Sequence, residues 1–458
     1  MRKLLKKYLI KIAARIRIFF YSGAKYLLGI YALDKVPQIV KENSLASGIT
    51  FLKSKYKFFR PPVVKFFIKL YRYLLITDKN LLTLQTDNTY IIHFSCWGKA
   101  YAEKVKTYLI PSLLAEGNLP SIAKKYNTTV LIHCDIDTKN NLSASPIIRH
   151  VKNYANIEFI ILPRSLIKAY KSNFKYFPFL SSKKITGIIS NIKYFLLGAL
   201  QTQALEIAVK NKSYVSFMMP DFVLSARFLT NIFFLIEGKK VAIISTFRTD
   251  YQKIAQQLEQ FFKGKERIQL TVPASVLTTF QVTNLHPAAK KIIVSENNAD
   301  FTSRAQLLFE TPNGFVLRAY HYHPILLDCH HYNYKFKKDY YPIDNSALNQ
   351  LLSINIPFDQ QIAACNNASD IHCLELSDEH IDQHISTKPK KLNYNELLYA
   401  ICDMISKNPS TYDTPLNRYF ISIKNRFESP AILKEGDFVD DDRFFSDLKE
   451  VLNTYDYN

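Results

Sequence analysis

The sequence predicts an α/β fold, a mainly parallel sheet with helices on both faces, preceded by a basic helical N-terminal segment. Three observations predict it. From Asn88 onward short apolar runs alternate with stretches of helical period. Strands separated by helices return in the same direction, which makes the sheet mainly parallel and covers both of its faces. The chain is also long enough, at 458 residues of which 48% are hydrophobic, to bury a large core in one or two domains.

The elements follow in order. "TYIIHFSCWG" (89–98) reads as a first strand, "YAEKVKTYLIPSLLAEGN" as a helix and "TTVLIHC" (128–134) as a second strand. "IEFIILP" (157–163) is a third, followed by a long helical pattern from about Ile185 to Lys210. "YVSFMMPDFVLS" (214–225) gives a fourth strand and turn, "ARFLTNIFFLIEGK" a helix, and "KVAIISTFR" (240–248) a fifth strand that Arg248 ends. Further on, strand-like runs flank the turn "TPNG", "DIHCLELSDEH" (370–380) reads as a strand into an acidic turn, and residues 395–427 have helical period. No G-x-G-x-x-G or G-x-x-x-x-G-K-[ST] follows any strand, which argues against a dinucleotide fold and a P-loop kinase. Six cysteines, at 96, 134, 329, 365, 373 and 402, lack zinc-cage or disulfide-framework spacing and read as reduced thiols, mostly in the core.

Charge is unevenly placed. Of a net +21, residues 1–80 hold eighteen Lys or Arg against Asp34, Glu42 and Asp78, while the far end from Glu435, "EGDFVDDDRFFSDLKE", is acidic and reads as a solvated terminal face. Leu5, Leu9, Ile12, Ile16 and Phe19 stack along one side of a helix, with Lys3, Lys7, Lys11 and Arg15 on the other. "VVKFFIKLYRYLLI" (63–76) repeats the pattern with Lys65, Lys69 and Arg72. Such helices suit the plane of an anionic membrane surface; a basic helical pair packed on the domain and merely solvated outside is the alternative. A span is not expected, since the most apolar window, Ile18–Leu33, carries Lys25 and falls short of the ~20 residues needed. The expected organisation is 1–80 as the basic membrane-surface segment, 81–390 as the main α/β domain and 391–458 as a helical segment with an acidic tail. The expected location is cytoplasmic, peripheral on a membrane.

In parallel sheets ligands bind beyond the carboxyl ends of the strands, which directs attention to four places. Trp97-Gly98 closes the first strand, beside Ser95. Asp135 and Asp137 follow the second, where aspartate also serves as a turn or helix-cap residue. Asp221, after Pro220, is the only carboxylate in "MMPDFVLS". In "RAYHYHPILLDCHH" His321 and His323 alternate, so on a strand they share one face. Arg248 has the fork geometry that grips a diphosphate, or it pairs with Asp250 or Glu237 at the surface.

The order strand, helix, strand ending in acidic residues, helix, strand, long helix, strand ending in aspartate resembles the GT-A fold of nucleotide-sugar glycosyltransferases. Trp97-Gly98 with Tyr101, then "PSLLAEGNLP" (111–120), resembles a poorly characterised bacterial glycosyltransferase-like group, the likeness covering roughly residues 89–380. The resemblance implies hexosyl transfer from a nucleoside diphosphate sugar. It places Asp135 and Asp137, with Ser95 and Trp97, at the nucleotide, and puts the metal-binding position on Asp221, where a second aspartate of the usual Asp-x-Asp is missing. It implies that His321 or His323 completes a Mn²⁺ or Mg²⁺ site and that Asp221 and Arg248 carry the catalysis. Two other functions fit the charge pattern: a non-catalytic membrane- or phosphoinositide-binding protein, and, less well, a nucleic-acid-binding protein whose Lys, Tyr and Phe grip phosphates and stack bases.

Overall fold

A computed structural model of the chain describes residues 88–162, 182–264, 266–294, 306–332, 347–378, 391–407, 414–436 and 438–454, with positions 84, 299–300 and 343 beside them. They belong to one compact unit, Asp78–Asn458. The basic segment 1–80 lies outside the described residues.

The strands are β1 (Thr89–Cys96), β2 (Asn127–Cys134), β3 (Asn156–Ile161), β4 (Tyr214–Met218), β5 (Phe222–Leu224), β6 (Val241–Ile243) and β7 (Arg248–Asp250). A two-residue hairpin follows, β8 (Phe262–Lys263) with β9 (Gln269–Leu270), then β10 (Ile293–Val294), β11 (Ala299–Asp300), β12 (Gln306–Thr311) and β13 (Gly314–Ala319). The remainder are β14 (Ile325–Asp328), β15 (Ile362–Ala364), β16 (Cys373–Ser377), β17 (Lys391–Leu392) and β18 (Asn425–Glu428).

The main sheet has seven strands in the order β15-β6-β14-β4-β1-β2-β3. All its neighbours are parallel except β14, which runs antiparallel to both β4 and β6. The α/β fold with a mainly parallel sheet is therefore as expected. Every residue of β1 is buried, because the sheet is covered twice. Ile91, Leu131, Val215 and Phe217 pack against Ala204, Leu205 and Ala208 of the long helix Ser182–Lys210. Ile92, Phe94, Val130 and Ile132 pack against Leu109, Leu113, Ile148 and Phe228 on the other face. The apolar runs of the sequence are continuous for this reason: residues of alternate parity each meet a helix layer.

Besides the two-stranded pairs β8-β9 and β11-β17, the described residues form two smaller sheets. β5-β16-β7 flanks the carboxyl edge of the main sheet, and β10-β12-β13-β18 lies further along the chain. Three expectations change here. "KVAIISTFR" is not one strand: β6 stays in the main sheet and β7 joins the small one, so Arg248 begins a strand rather than ending one. The switch is made by side chains, since the Thr246 hydroxyl donates to Cys373 O at 2.8 Å and the Gln281 amide donates to Thr246 Oγ1 at 2.9 Å. Residues 395–427 are not all helical, because after the helices Tyr394–Lys407 and Pro415–Ser422 the chain forms β18, paired with β13. The acidic tail is not merely solvated. Its helix, Asp441–Thr454, buries Phe444, Phe445 and Leu448, and its first carboxylate takes the buried Arg318 guanidinium at 2.6 Å. All six cysteines are buried free thiols, as expected.

Besides His286, which caps the helix Pro287–Lys290, three histidines are sealed in the core. His93 and His133 share a hydrogen bond of 2.8 Å across β1 and β2, and His133 reaches Gln203 of the long helix at 3.0 Å. His372 stacks edge-on against Phe427, and neither of its ring nitrogens has a partner. Burial lowers all three pKa values, His133 to about 4 and His372 to about 3. A base that stays neutral in the fold but takes a proton when unfolded leaves stability intact above about pH 6.5, its unfolded value, and removes it as pH falls toward the folded value. For His133 the loss down to pH 4 is on the order of 3 kcal/mol. Urea midpoints measured from pH 7 to 4 are expected to fall steeply, and His372→Leu, which removes one titrating ring in apolar surroundings, to flatten the profile. A variant profile parallel to that of the parent would remove the account for His372.

Candidate active site at the carboxyl edge of the sheet

The three central strands end level. Cys96 pairs with Cys134 and Phe94 with Met218, so Trp97-Gly98, Asp135 and Met219-Pro220-Asp221 all leave the sheet at one edge. Gly98 adopts a left-handed φ of 89°, and its N–H donates to Asp135 Oδ2 at 3.1 Å and to Thr138 Oγ1 at 3.2 Å. The other Asp135 oxygen accepts from the Thr138 N–H at 2.7 Å, which caps the helix Ile136–Ala144. Asp135 thus acts as a helix cap and as a strut between the ends of β1 and β2. Asp137 does not end a strand; it is exposed in the first turn of that helix. Ser95 is buried with its hydroxyl unpartnered, and Trp97 is half-buried.

Asp221 is buried in the turn from β4 to β5. Its carbonyl accepts from the Leu376 N–H at 2.9 Å, and the next residue, Phe222, pairs with Glu375 of β16. On the other side of β16 Glu375 is in register with Arg248, and their side chains meet at 3.2 Å. That carboxylate, rather than Asp250 or Glu237, is the partner of Arg248; Asp250 caps the helix Tyr251–Glu259 and pairs with Lys253. Burial, then the charges of Asp221, Glu375 and Asp378 in turn, hold the Tyr101 phenol above its ordinary range, with Arg248 opposing. Burial also pushes the Cys96 thiol up, reinforced by Cys134, Asp135 and Asp221. Both aspartates therefore act on one sulfur at the end of β1.

Sequence reasoning missed three members. Lys104 is a buried lysine whose Nζ donates to Leu376 O and to Asp378 Oδ2, both at 2.9 Å, and lies 5.0 Å above the Tyr251 ring. Glu375 lies in β16 and Asp378 follows it directly, both more than 120 residues after Arg248. The available signals were the spacing of Tyr101 and Lys104 by one helical turn and the acidic end of "CLELSDEH".

His321 and His323 are not on a strand. They lie between β13 and β14, and Pro324, with no N–H to offer, precedes the first ladder residue, Ile325. Because Ile325 pairs with Phe217 of the antiparallel neighbour β4, the chain just before it passes the carboxyl end of β4, the edge that carries Asp221. Among the described residues, the only group of three or more His, Cys, Asp or Glu with ligand atoms within 4.8 Å of one another is Asp440, Asp441 and Asp442. Of these, Asp441 and Asp442 already pair with Arg318 and Lys424. Asp221, His321 and His323 do not form such a cage.

The stretch "PSLLAEGNLP" is a clamp. Ser112 Oγ accepts from Leu224 N–H at 3.1 Å, the Asn118 amide donates to Ser112 O and Ser225 O at 2.8 and 2.9 Å, and its oxygen accepts from Leu229 N–H at 2.8 Å. Gly117 has φ +75°, and a Cβ there would meet Arg227 Cγ at 2.4 Å. Every one of these contacts holds the chain just after Asp221.

Compared with solved structures, the chain is similar to the apo form of mouse xyloside xylosyltransferase 1, at 11% identity over 54% of this chain and 68% of that one, with a TM-score of 0.26. It is similar to the apo WbbM bifunctional glycosyltransferase at 15% identity, 40% and 26% coverage and a TM-score of 0.20. The mannosyltransferase Ktr4p from S. cerevisiae is similar at 12% identity, 42% and 51% coverage and a TM-score of 0.20. The chain spans about a quarter of WbbM and about half of Ktr4p. Likeness at this level carries nothing about chemistry. No protein-family model and no curated protein matches the sequence.

The geometry separates the two aspartates after β2. Asp135→Ala removes a cap and is expected to cost about 1 kcal/mol in urea unfolding, whereas Asp137→Ala is expected to stay within about 0.5 kcal/mol of the parent, as exposed substitutions do. Equal losses for both would contradict the strut. For the clamp, Gly117→Ala is expected to lower the melting temperature by a degree or two, since about 1 kcal/mol shifts a chain of this size by about 1 °C; an unchanged melting temperature would show that Arg227 yields freely.

Proposed function

We propose that the chain is a glycosyltransferase that moves a sugar from a nucleoside diphosphate donor to an acceptor hydroxyl at or near a membrane surface. One observation carries the reading. Among the described residues four carboxylates, Asp135, Asp221, Glu375 and Asp378, gather at the carboxyl edge against two cations, Arg248 and Lys104. Such a site repels a bare diphosphate but suits one that arrives with a divalent cation.

Asp221 offers a carboxylate for Mn²⁺ or Mg²⁺, and His323 or His321, beside the end of β4, is proposed as a second ligand. A hard cation held by one or two protein groups takes its remaining ligands from phosphate oxygens and water, so a three-residue cage is not required. The ion, when bound, supplies Lewis-acid stabilisation of charge on the departing diphosphate. The chain's own groups do the rest. Asp135, Asp137, Ser95 and Trp97 are proposed to seat the nucleotide at the ends of β1 and β2. Arg248 and Lys104 exchange part of their contact with Glu375 and Asp378 for phosphate oxygens. In the transfer the acceptor oxygen bonds the anomeric carbon, the bond from that carbon to the diphosphate oxygen breaks, and the acceptor proton passes to a base or to solvent.

Residues 1–80 are proposed as a peripheral anchor on an anionic cytoplasmic surface, 81–390 as the catalytic part and 391–458 as an accessory helical part. A second reading rests on Asp221 standing without a second aspartate in its turn: a membrane-binding protein that has lost turnover. The two separate on donor hydrolysis or transfer, assayed after chelation and after return of Mn²⁺, in the parent and in Asp221→Asn. The transferase is expected to lose activity on chelation, regain it with Mn²⁺, and lose it at least 100-fold in Asp221→Asn without a change in melting temperature, about 2.7 kcal/mol of barrier. Activity that survives chelation would place the site elsewhere, and its absence from the parent with every donor would favour the second reading.

A further inference from the structure

The parallel sheet has a second edge, where the strands begin. The turns that lead into β2, β3 and β4 carry the exposed lysines Lys124, Lys125, Lys152, Lys210 and Lys212. The turn into β6 adds Lys239 and Lys240, which reach across to Asp359 O and the Gln361 side chain ahead of β15. Among the described residues of these turns the acidic ones are Glu237, Asp328 and Asp359, fewer than the lysines, and His330 already pairs with Asp328.

Large apolar side chains stand exposed among the lysines. Phe234 is 79% exposed, Ile354 74% and Tyr154 40%. The place of Phe234 is set by its neighbour in the chain: Phe233 packs against Tyr90, Tyr126 and Tyr214 at the amino ends of β1, β2 and β4. The chain that arrives from the basic first eighty residues is tied to this edge, where Leu84 N–H donates to Asn211 Oδ1 at 2.8 Å. Among the described residues no helix is long and apolar enough to cross a membrane.

We propose that the amino edge of the main sheet, with Lys124, Lys125, Lys212 and Phe234 at its centre, docks on an anionic lipid surface, independently of residues 1–80. Lysines interleaved with exposed Phe and Ile side chains match a bilayer interface, which offers anionic headgroups and an acyl boundary that accepts rings and branched chains. A nucleic-acid backbone matches the lysines and leaves Phe234 and Ile354 in water. Docking at this edge turns the carboxyl edge, at the opposite ends of the same strands, toward the aqueous side. The proposal stands whether or not that edge is catalytic.

The test uses the full chain with vesicles of phosphatidylcholine alone or mixed with phosphatidylserine, and exploits Trp97, the single tryptophan, at the far edge. In the parent, Trp97 emission is expected to stay unquenched by brominated lipid. In Trp97→Phe with Phe234→Trp, the indole at position 234 is expected to shift to the blue and be quenched, with phosphatidylserine only. Lys124→Gln with Lys125→Gln and Lys212→Gln is expected to lower the partition coefficient about a hundredfold while circular dichroism stays unchanged, at about 1 kcal/mol per basic residue. Binding through residues 1–80 alone would leave the indole at 234 unshifted and the lysine variant at the parent's partition, and would overturn the proposal. So would quenching of Trp97, or preference for an RNA oligomer over the vesicles.

Discussion

The carboxyl edge depends on how the backbone is caught as it leaves β4. After Met218 the chain turns through Pro220 and Asp221 into a strand of only three residues, too short to hold itself. It is fixed from two sides. β16 pairs with β5 and gives the Leu376 N–H to Asp221 O, while Ser112 and Asn118 take the backbone groups of Leu224, Ser225 and Leu229. Asn118 uses both donor hydrogens and its acceptor in buried surroundings, and buried polar networks hold one geometry when every member is satisfied. The backbone at Asp221 is thus set by residues far from it in the sequence.

The same arrangement explains how so many charges share a small space. Each cation has a carboxylate partner that belongs to β16 or follows it: Arg248 has Glu375 and Lys104 has Asp378. Lys104 is held besides by a carbonyl and an aromatic face, so its charge is compensated without water. Such pairs are costly to break by removing one member, because the other is left as an uncompensated charge. They hold Arg248 and Lys104 in place at the carboxyl edge.

The main sheet was legible because strands buried on both faces are unbroken apolar runs between helical stretches; β1 to β3 appear in the sequence within a residue or two of their bounds, and "YVSFMMPDFVLS" begins with β4 but runs on through β5. The small sheet was not, since β5 and β7 have three residues each and pair with a strand more than 120 positions away. "KVAIISTFR" misleads by its continuity; only Gln281 and Cys373, distant in sequence, reveal the switch at Thr246. Asp135 was legible as an alternative, cap or ligand, and the structure displays the cap. His321 and His323 alternate like a strand yet sit in a connection. The acidic tail looked solvated because Arg318, its buried counter-charge, lies 123 residues before it.

Net charge conceals the arrangement that matters. The +21 of the chain, concentrated in its first eighty residues, draws attention there, while the lysines at 124, 125, 152, 210 and 212 are scattered along the sequence and form no run. A parallel sheet brings them together, because every strand of a βαβ series must start at the same edge and end at the other. The topology that lines up the carboxylates after β1, β2 and β4 therefore also lines up the turns before them. Among the described residues the fold separates charge along the strand direction, acidic at the carboxyl edge and basic at the amino edge, while the sequence itself is visibly polarised only in its basic first eighty residues and its acidic end. Long-range fields follow such a distribution rather than the total, so the two edges of this unit present opposite signs to whatever approaches them.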